Sequence, residues 1–186
     1  MLMVKRLTSP DEARRPLADQ VLISEEVLVR VTRTGFSLSY LPTGSSSWQV
    51  FPPDLRADPS TLLADGRGAI FGAFVDDVFT GSAAVIPTDS GWAELLDLRV
   101  DASLRRQGVG TLLLDTCIDY AARRGMHGIR IVTSDANPVL CQFCEKRGFQ
   151  LGGMDRLALT MTPAERFKPV LRRACALMFY RMNEKG

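Results

Sequence analysis

The 186-residue chain is 46% hydrophobic and 24% charged, with a formal net charge of only +2. That balance allows one substantial core and excludes both a disordered chain and a polyanion-coating protein. Four cysteines are too few for a disulfide scaffold in a chain this long, and they read as free thiols.

The opening Met1-Leu2-Met3-Val4-Lys5-Arg6 lacks the apolar stretch of a signal peptide, and no run of about 18 apolar residues occurs. A soluble cytoplasmic protein is the expectation. Val4 to Leu7 reads as a first strand. Residues Asp11 to Val29 carry a charged, broadly helical pattern broken at Pro16. Thr34 to Pro59 is rich in Ser, Gly and Pro and reads as irregular, with one strand around Gly35 to Leu41.

The pattern sharpens after Gly68. Two apolar, β-prone runs, Ala69 to Asp76 and Val78 to Pro87, flank Asp76-Asp77 as an antiparallel hairpin. Trp92 to Val100 is a third run. Gly108 to Arg124 follows with Val109, Leu112, Leu113, Thr116, Cys117, Tyr120 and Ala121 at helical spacing, and Gly125 stops it. Gly128 to Thr133 is a β-branched strand. Asn137 to Arg147 is a second helix, capped by Asn137 with Pro138 in its first turn. Phe149 begins another strand, and Ala174 to Met182 forms the last. This order predicts an α+β (mixed α/β) fold, a central mixed sheet flanked by helices.

Arg105 to Thr111 joins a strand to a helix. The first N–H groups of a helix lack internal partners, and its dipole places partial positive charge there. Gly108 and Gly110 let the backbone approach an anion, while Arg105 and Arg106 add fixed charge. The segment reads as a pyrophosphate seat. A Walker loop is excluded because no Gly-Lys-Ser/Thr follows, and Leu113 stands where a dinucleotide fingerprint needs its third glycine.

Arg105-x-x-Gly108-x-Gly110 resembles the acetyl-CoA signature of the GNAT superfamily of N-acetyltransferases, preceded by Leu98-x-Val100 at the end of the cofactor-binding strand. Asn137-x-x-Leu140-x-x-Phe143-Cys144-x-x-x-Gly148-Phe149 resembles that family's second cofactor motif. There an alanine usually stands at Leu140 and a tyrosine at Cys144. Cys141 to Arg156, followed by Ala174 to Tyr180, resembles the tail of streptothricin acetyltransferases and their relatives. The resemblance implies a single GNAT domain over 1–186, with a mostly antiparallel sheet, an acceptor-side region over 1–67 and an acetyl-CoA-binding core over 68–183.

It further implies a ternary complex without a covalent enzyme intermediate, and antibiotic resistance as a setting. Leu98, Arg99 and Val100 would pair with the pantetheine arm. Arg105, Arg106, Gln107, Gly108, Val109, Gly110 and Thr111 would hold the pyrophosphate, and Asn137, Phe143 and Cys144 would line the other side of the pantetheine.

Proton transfer departs from the family pattern. Cys144 replaces the usual tyrosine and either protonates the departing thiolate or fills helix space while solvent supplies the proton. Tyr180 and Tyr120 are other phenols, Tyr120 falling on the apolar helix face. Leu96 stands where related enzymes carry a glutamate, which leaves Asp97 and Glu94 as candidate bases. Each is also readable as a solvated strand acid or as a partner for Arg99.

Cys141-x-x-Cys144 lacks the setting of a redox or zinc site, since the only histidine, His127, falls in a turn. No metal is expected. Nothing in the sequence suggests nucleic acid or a membrane. The expected partners are acetyl-CoA and a small primary amine, with a homodimer left open. Acetylation of a protein lysine or N-terminus, and a catalytically weak acetyl-CoA-binding module, stand as alternatives.

Overall fold

The computed structural model describes residues 1–51, 55–156 and 175–183. In chain order the elements are β1 (Leu2–Leu7), α1 (Pro10–Ala13), β2 (Val21–Thr32), β3 (Gly35–Gln49), α2 (Pro59–Asp65), β4 (Ala69–Val75) and β5 (Val78–Pro87). There follow β6 (Ala93–Val100), α3 (Val109–Arg123), β7 (Gly128–Ser134), α4 (Pro138–Lys146), β8 (Gln150–Asp155) and β9 (Ala176–Met182). The mostly antiparallel α+β class with flanking helices is the one the sequence implies. Ala174, the expected start of the last strand, lies outside the described residues.

The chain forms two compact units: residues 1–19, 55–130 and 182–183, and residues 20–51, 131–156 and 175–181. In the first, β1, β4, β5 and β6 lie side by side in the order β1-β4-β5-β6, each antiparallel to its neighbour. The β4–β5 hairpin turns at Asp76 (φ 47°) and Asp77 (φ 65°), the left-handed pair a two-residue hairpin demands.

One face of this sheet packs on α1 and α2 through Leu7, Ala13, Leu62, Ile70, Phe74, Ala84 and Leu96. The other receives α3, and Gly81 of β5 permits the approach. A Cβ there would stand 2.7 Å from the Arg99 carbonyl oxygen and 3.1 Å from Leu113. Leu113 is fully buried. Leu113→Ala should therefore lower stability by about 2–5 kcal/mol, measurable by urea denaturation with an unchanged m-value.

In the second unit β7, β9 and β8 lie side by side, with β8 antiparallel to β9. β2 and β3 form a separate two-stranded sheet, which corrects two expectations. Of the helical pattern read over Asp11 to Val29, only Pro10–Ala13 is helical, and Val21 onward is strand. The stretch read as irregular after Thr34 is strand through Gln49, well beyond Leu41.

The reason is alternation. Val21, Ile23, Val27, Val29 and Val31 recur at even spacing, so β-branched side chains share one face while Ser24, Glu26 and Arg30 share the other. Cross-strand pairing then recruits the weakly β-prone serines, as Ile23 faces Ser47 and Arg30 faces Ser37.

Candidate active site

β6 supplies the first of the candidate residues. Its residues change at mid-strand, from buried over Ala93 to Leu96 to partly exposed over Asp97 to Val100. The pairing with β5 slips at the same place: Val85 faces Leu95 and Ala84 faces Asp97, so Leu96 is an extra residue with no partner. This is a β-bulge, which re-aims the side chains after it.

Leu96 and Ala84 both belong to the α1/α2-side core, and Asp97 shares a face with its partner Ala84. Ile86, the partner of Glu94, packs on that core as well. Glu94, Leu96 and Asp97 therefore face the same side. Without the bulge, Asp97 would point to the α3 side.

Asp97 accepts a hydrogen bond from Arg99 Nε at 2.7 Å, and Arg99 lies 3.9 Å from Asp19. Burial pushes the Asp97 carboxyl above the ordinary carboxylate range, with Arg99 opposing the shift. Glu94 is buried at 2% exposure and is paired by both oxygens, to Arg56 and to Arg130.

The loop after β6 begins on Asp101, whose carboxylate accepts from Ser103 N (3.0 Å), Ser103 Oγ (2.6 Å) and Ala18 N (3.3 Å). Ala102 N donates back to the Ala18 carbonyl at 2.7 Å, tying this loop to the segment after α1. Arg105 Nε donates to the Val100 carbonyl at 3.2 Å, and Gln107 Nε2 to the Ser103 carbonyl at 3.1 Å.

Arg106 (φ 61°) and Gly108 (φ 87°) are both left-handed. Turns of this kind gather backbone N–H groups into anion-binding concavities. Gly108 is the N-cap of α3 and offers no side-chain cap to the following amides. Arg106, Gln107 and Gly108 are exposed, whereas Val109 is buried.

The second unit carries the remaining candidates. Asn137 caps α4 by accepting from Leu140 N at 3.1 Å and is nearly buried. Phe143 is half-buried. Cys144 is fully buried, and burial pushes its thiol far above the ordinary range, which favours the space-filling alternative over the acid. Cys141, equally buried, is pushed up to about 12 and donates to the Ser134 carbonyl at 3.6 Å. Tyr180 is half-buried in β9, opposite Gln150, with its ring against Gly152.

Cys117, Cys141 and Cys144 are each 0% exposed. DTNB is accordingly expected to leave all three unlabelled in the native protein and to label them after unfolding. Labelling of a native Cys144 would reopen the acid role.

Sequence reasoning missed several groups here. Arg56, Arg130 and Asp19 are scattered charges with no motif around them. Tyr40 of β3 donates to Glu145 at 2.6 Å, and Gln142 to Glu25 at 2.7 Å, tying α4 to the β2–β3 pair. Burial and the Glu145 charge push the Tyr40 phenol up. Among the described residues no His, Cys, Asp and Glu cluster could hold a metal, and no helix is long and apolar enough to cross a membrane.

A glycine-turned loop feeding a helix start without a side-chain cap follows a bulged strand that carries the buried Glu94 and the partly exposed Asp97, and a helix start of this kind suits an anion. The chain belongs to the acetyltransferase (GNAT) family, whose model matches residues 36–149, and it is an acetyl-CoA-dependent N-acetyltransferase of that type.

Among curated proteins it is 28% identical to a streptothricin acetyltransferase of Escherichia coli over 83% of this chain and 85% of that protein. It is 29% identical to one of Streptomyces lavendulae over 74% of this chain and 75% of that protein. A Bacillus anthracis strain Ames protein assigned as a streptothricin acetyltransferase, crystallised with acetyl coenzyme A, superposes with a TM-score of 0.82 at 21% identity. That match covers 98% of this chain and 100% of the other. A nourseothricin acetyltransferase gives a TM-score of 0.76 at 21% identity, over 97% and 98% of the two chains.

Proposed function

We propose that the chain, acting as one GNAT domain in the cytoplasm, transfers the acetyl group of acetyl-CoA to a primary amine of a small molecule. A streptothricin-like antibiotic is the leading acceptor. The names of the curated relatives support that acceptor class. The amine attacks the thioester directly, in a ternary complex.

Cofactor binding falls to the loop from Arg105 to Thr111, whose left-handed Arg106 and Gly108 open the first amides of α3 toward an anion. Leu98 to Val100 pair with the pantetheine arm, and Asn137 and Phe143 assist its binding.

The bulge at Leu96 carries the catalytic reading. It turns Asp97 onto the face of the position where related enzymes carry glutamate, and burial there strengthens the carboxylate as a base. Asp97 takes the proton that the attacking nitrogen must lose. Glu94, with both oxygens held by arginines, is the weaker of the two candidates. The departing thiolate takes its proton from solvent, and Tyr180 is the remaining phenol on offer.

The test is a panel of amines followed by release of free CoA thiol, with streptothricin, spermidine, lysine derivatives and short peptides as acceptors. Fastest turnover on streptothricin or another free amine supports the reading. Turnover confined to peptides transfers the enzyme to protein acetylation. Acetyl-CoA binding without turnover on any acceptor leaves only a binding module.

A further inference from the structure

Glu94 is the only Asp or Glu among the described residues that is fully buried. Both of its oxygens are engaged: Oε1 by Arg56, in the short turn Leu55–Ala57, and Oε2 by Arg130 of β7. Stability alone does not account for this group. A buried ion pair is commonly no more stable than apolar side chains of similar volume, and it loses heavily when one partner is removed.

Its place in the strand accounts for it better. Glu94 lies one residue before the Leu95–Val85 pair, after which the register slips. β6 is thus gripped by two guanidinium groups just ahead of its irregular segment. A bulge is one of two competing registers, and slipping by one residue turns every later side chain to the opposite face.

We propose that Glu94 is a positioning residue for the transfer reaction: clamped by Arg56 and Arg130, it holds β6 in the bulged register that keeps Asp97 on the α1/α2 side. This rests on the reading of Asp97 as the base. Glu94 moves no proton itself. It fixes where the group that does so stands.

The experiment compares Glu94→Gln and Asp97→Asn across pH, using the panel amine with the fastest turnover and measuring kcat and KM separately. Glu94→Gln should lower kcat by about 10- to 100-fold, the usual effect of a misplaced catalytic group. It should leave KM for acetyl-CoA within about threefold and retain the acid limb of the pH profile. Arg56→Ala, at a partner whose side chain is 52% exposed, should give the same pattern at smaller size, and it decides the matter if Glu94→Gln does not fold.

Wild-type kcat in Glu94→Gln, or in Arg56→Ala where Glu94→Gln fails to fold, overturns the positioning role while an impaired Asp97→Asn leaves the base assignment standing. Loss of the acid limb in Glu94→Gln but not in Asp97→Asn makes Glu94 the base and overturns both. An unimpaired Asp97→Asn removes the base assignment on its own.

Discussion

Asp97→Asn should lower kcat by about 10²- to 10⁴-fold, the range over which a positioned general base accelerates proton transfer. The amide keeps the volume of the side chain and a hydrogen-bond acceptor for Arg99, so the fold and acetyl-CoA affinity should change little. The sign of the pH effect follows from burial. Asp97 titrates above the ordinary carboxylate range because its ionised form is poorly solvated, with Arg99 only partly offsetting that cost. Below its raised pKa the group is protonated and accepts nothing, so wild-type kcat/KM climbs as pH rises through that value. The Asn variant lacks this limb and keeps only the slope set by deprotonation of the amine. An Asp97→Asn enzyme with both wild-type rate and wild-type acid limb would remove Asp97 from the chemistry.

Gly108→Ala should weaken acetyl-CoA binding by about tenfold or more, since losing one charge-assisted hydrogen bond costs about 1.5–3 kcal/mol. Among the described residues nothing beyond the chain neighbours lies within 4 Å of the position a Cβ would take, so the substitution meets no clash with them. Two effects remain. An alanine at φ 87° carries a backbone cost of about 1–2 kcal/mol, and its methyl group occupies space that the helix start leaves open to an anion. Gly108→Asn separates them, because asparagine tolerates the left-handed region but still carries a side chain. Calorimetric titration should show weakened binding in both variants, with the larger loss of melting temperature in Gly108→Ala. Unaltered affinity in both would place the pyrophosphate elsewhere.

Much of this was legible in the sequence because the signals are local. Asp76-Asp77 between two apolar runs marks a hairpin whatever surrounds it. Asn137 followed by Pro138 marks a helix start, and the pairing of Asn137 with Leu140 N satisfies an amide that the helix itself cannot. The loop at Arg105 to Thr111 was legible for the same reason. What stayed hidden depends on partners distant in sequence. Ser37, Ser39 and Ser47 have weak strand preference and become strand only because β2 supplies a register. Glu25 and Glu26 gave β2 a charged look that masked its even spacing. The strand face of Asp97 could not be read at all, because simple alternation sets it opposite Leu96 and only the pairing with β5 reveals the extra residue.

That extra residue has a consequence for how such enzymes diverge. On a regular strand, moving an acid by one position is a loss of function, since it lands on the wrong side of the sheet. At the bulge, positions 96 and 97 open toward the same side, so a glutamate at the first and an aspartate at the second present their carboxylates to one face. An acid can be exchanged between the two positions through an intermediate that carries both, without crossing the sheet. Deletion of Leu96 would straighten the strand and leave Asp97 opposite Ala84, still on the α1/α2 side. Regular pairing without that deletion would instead turn Asp97 toward α3.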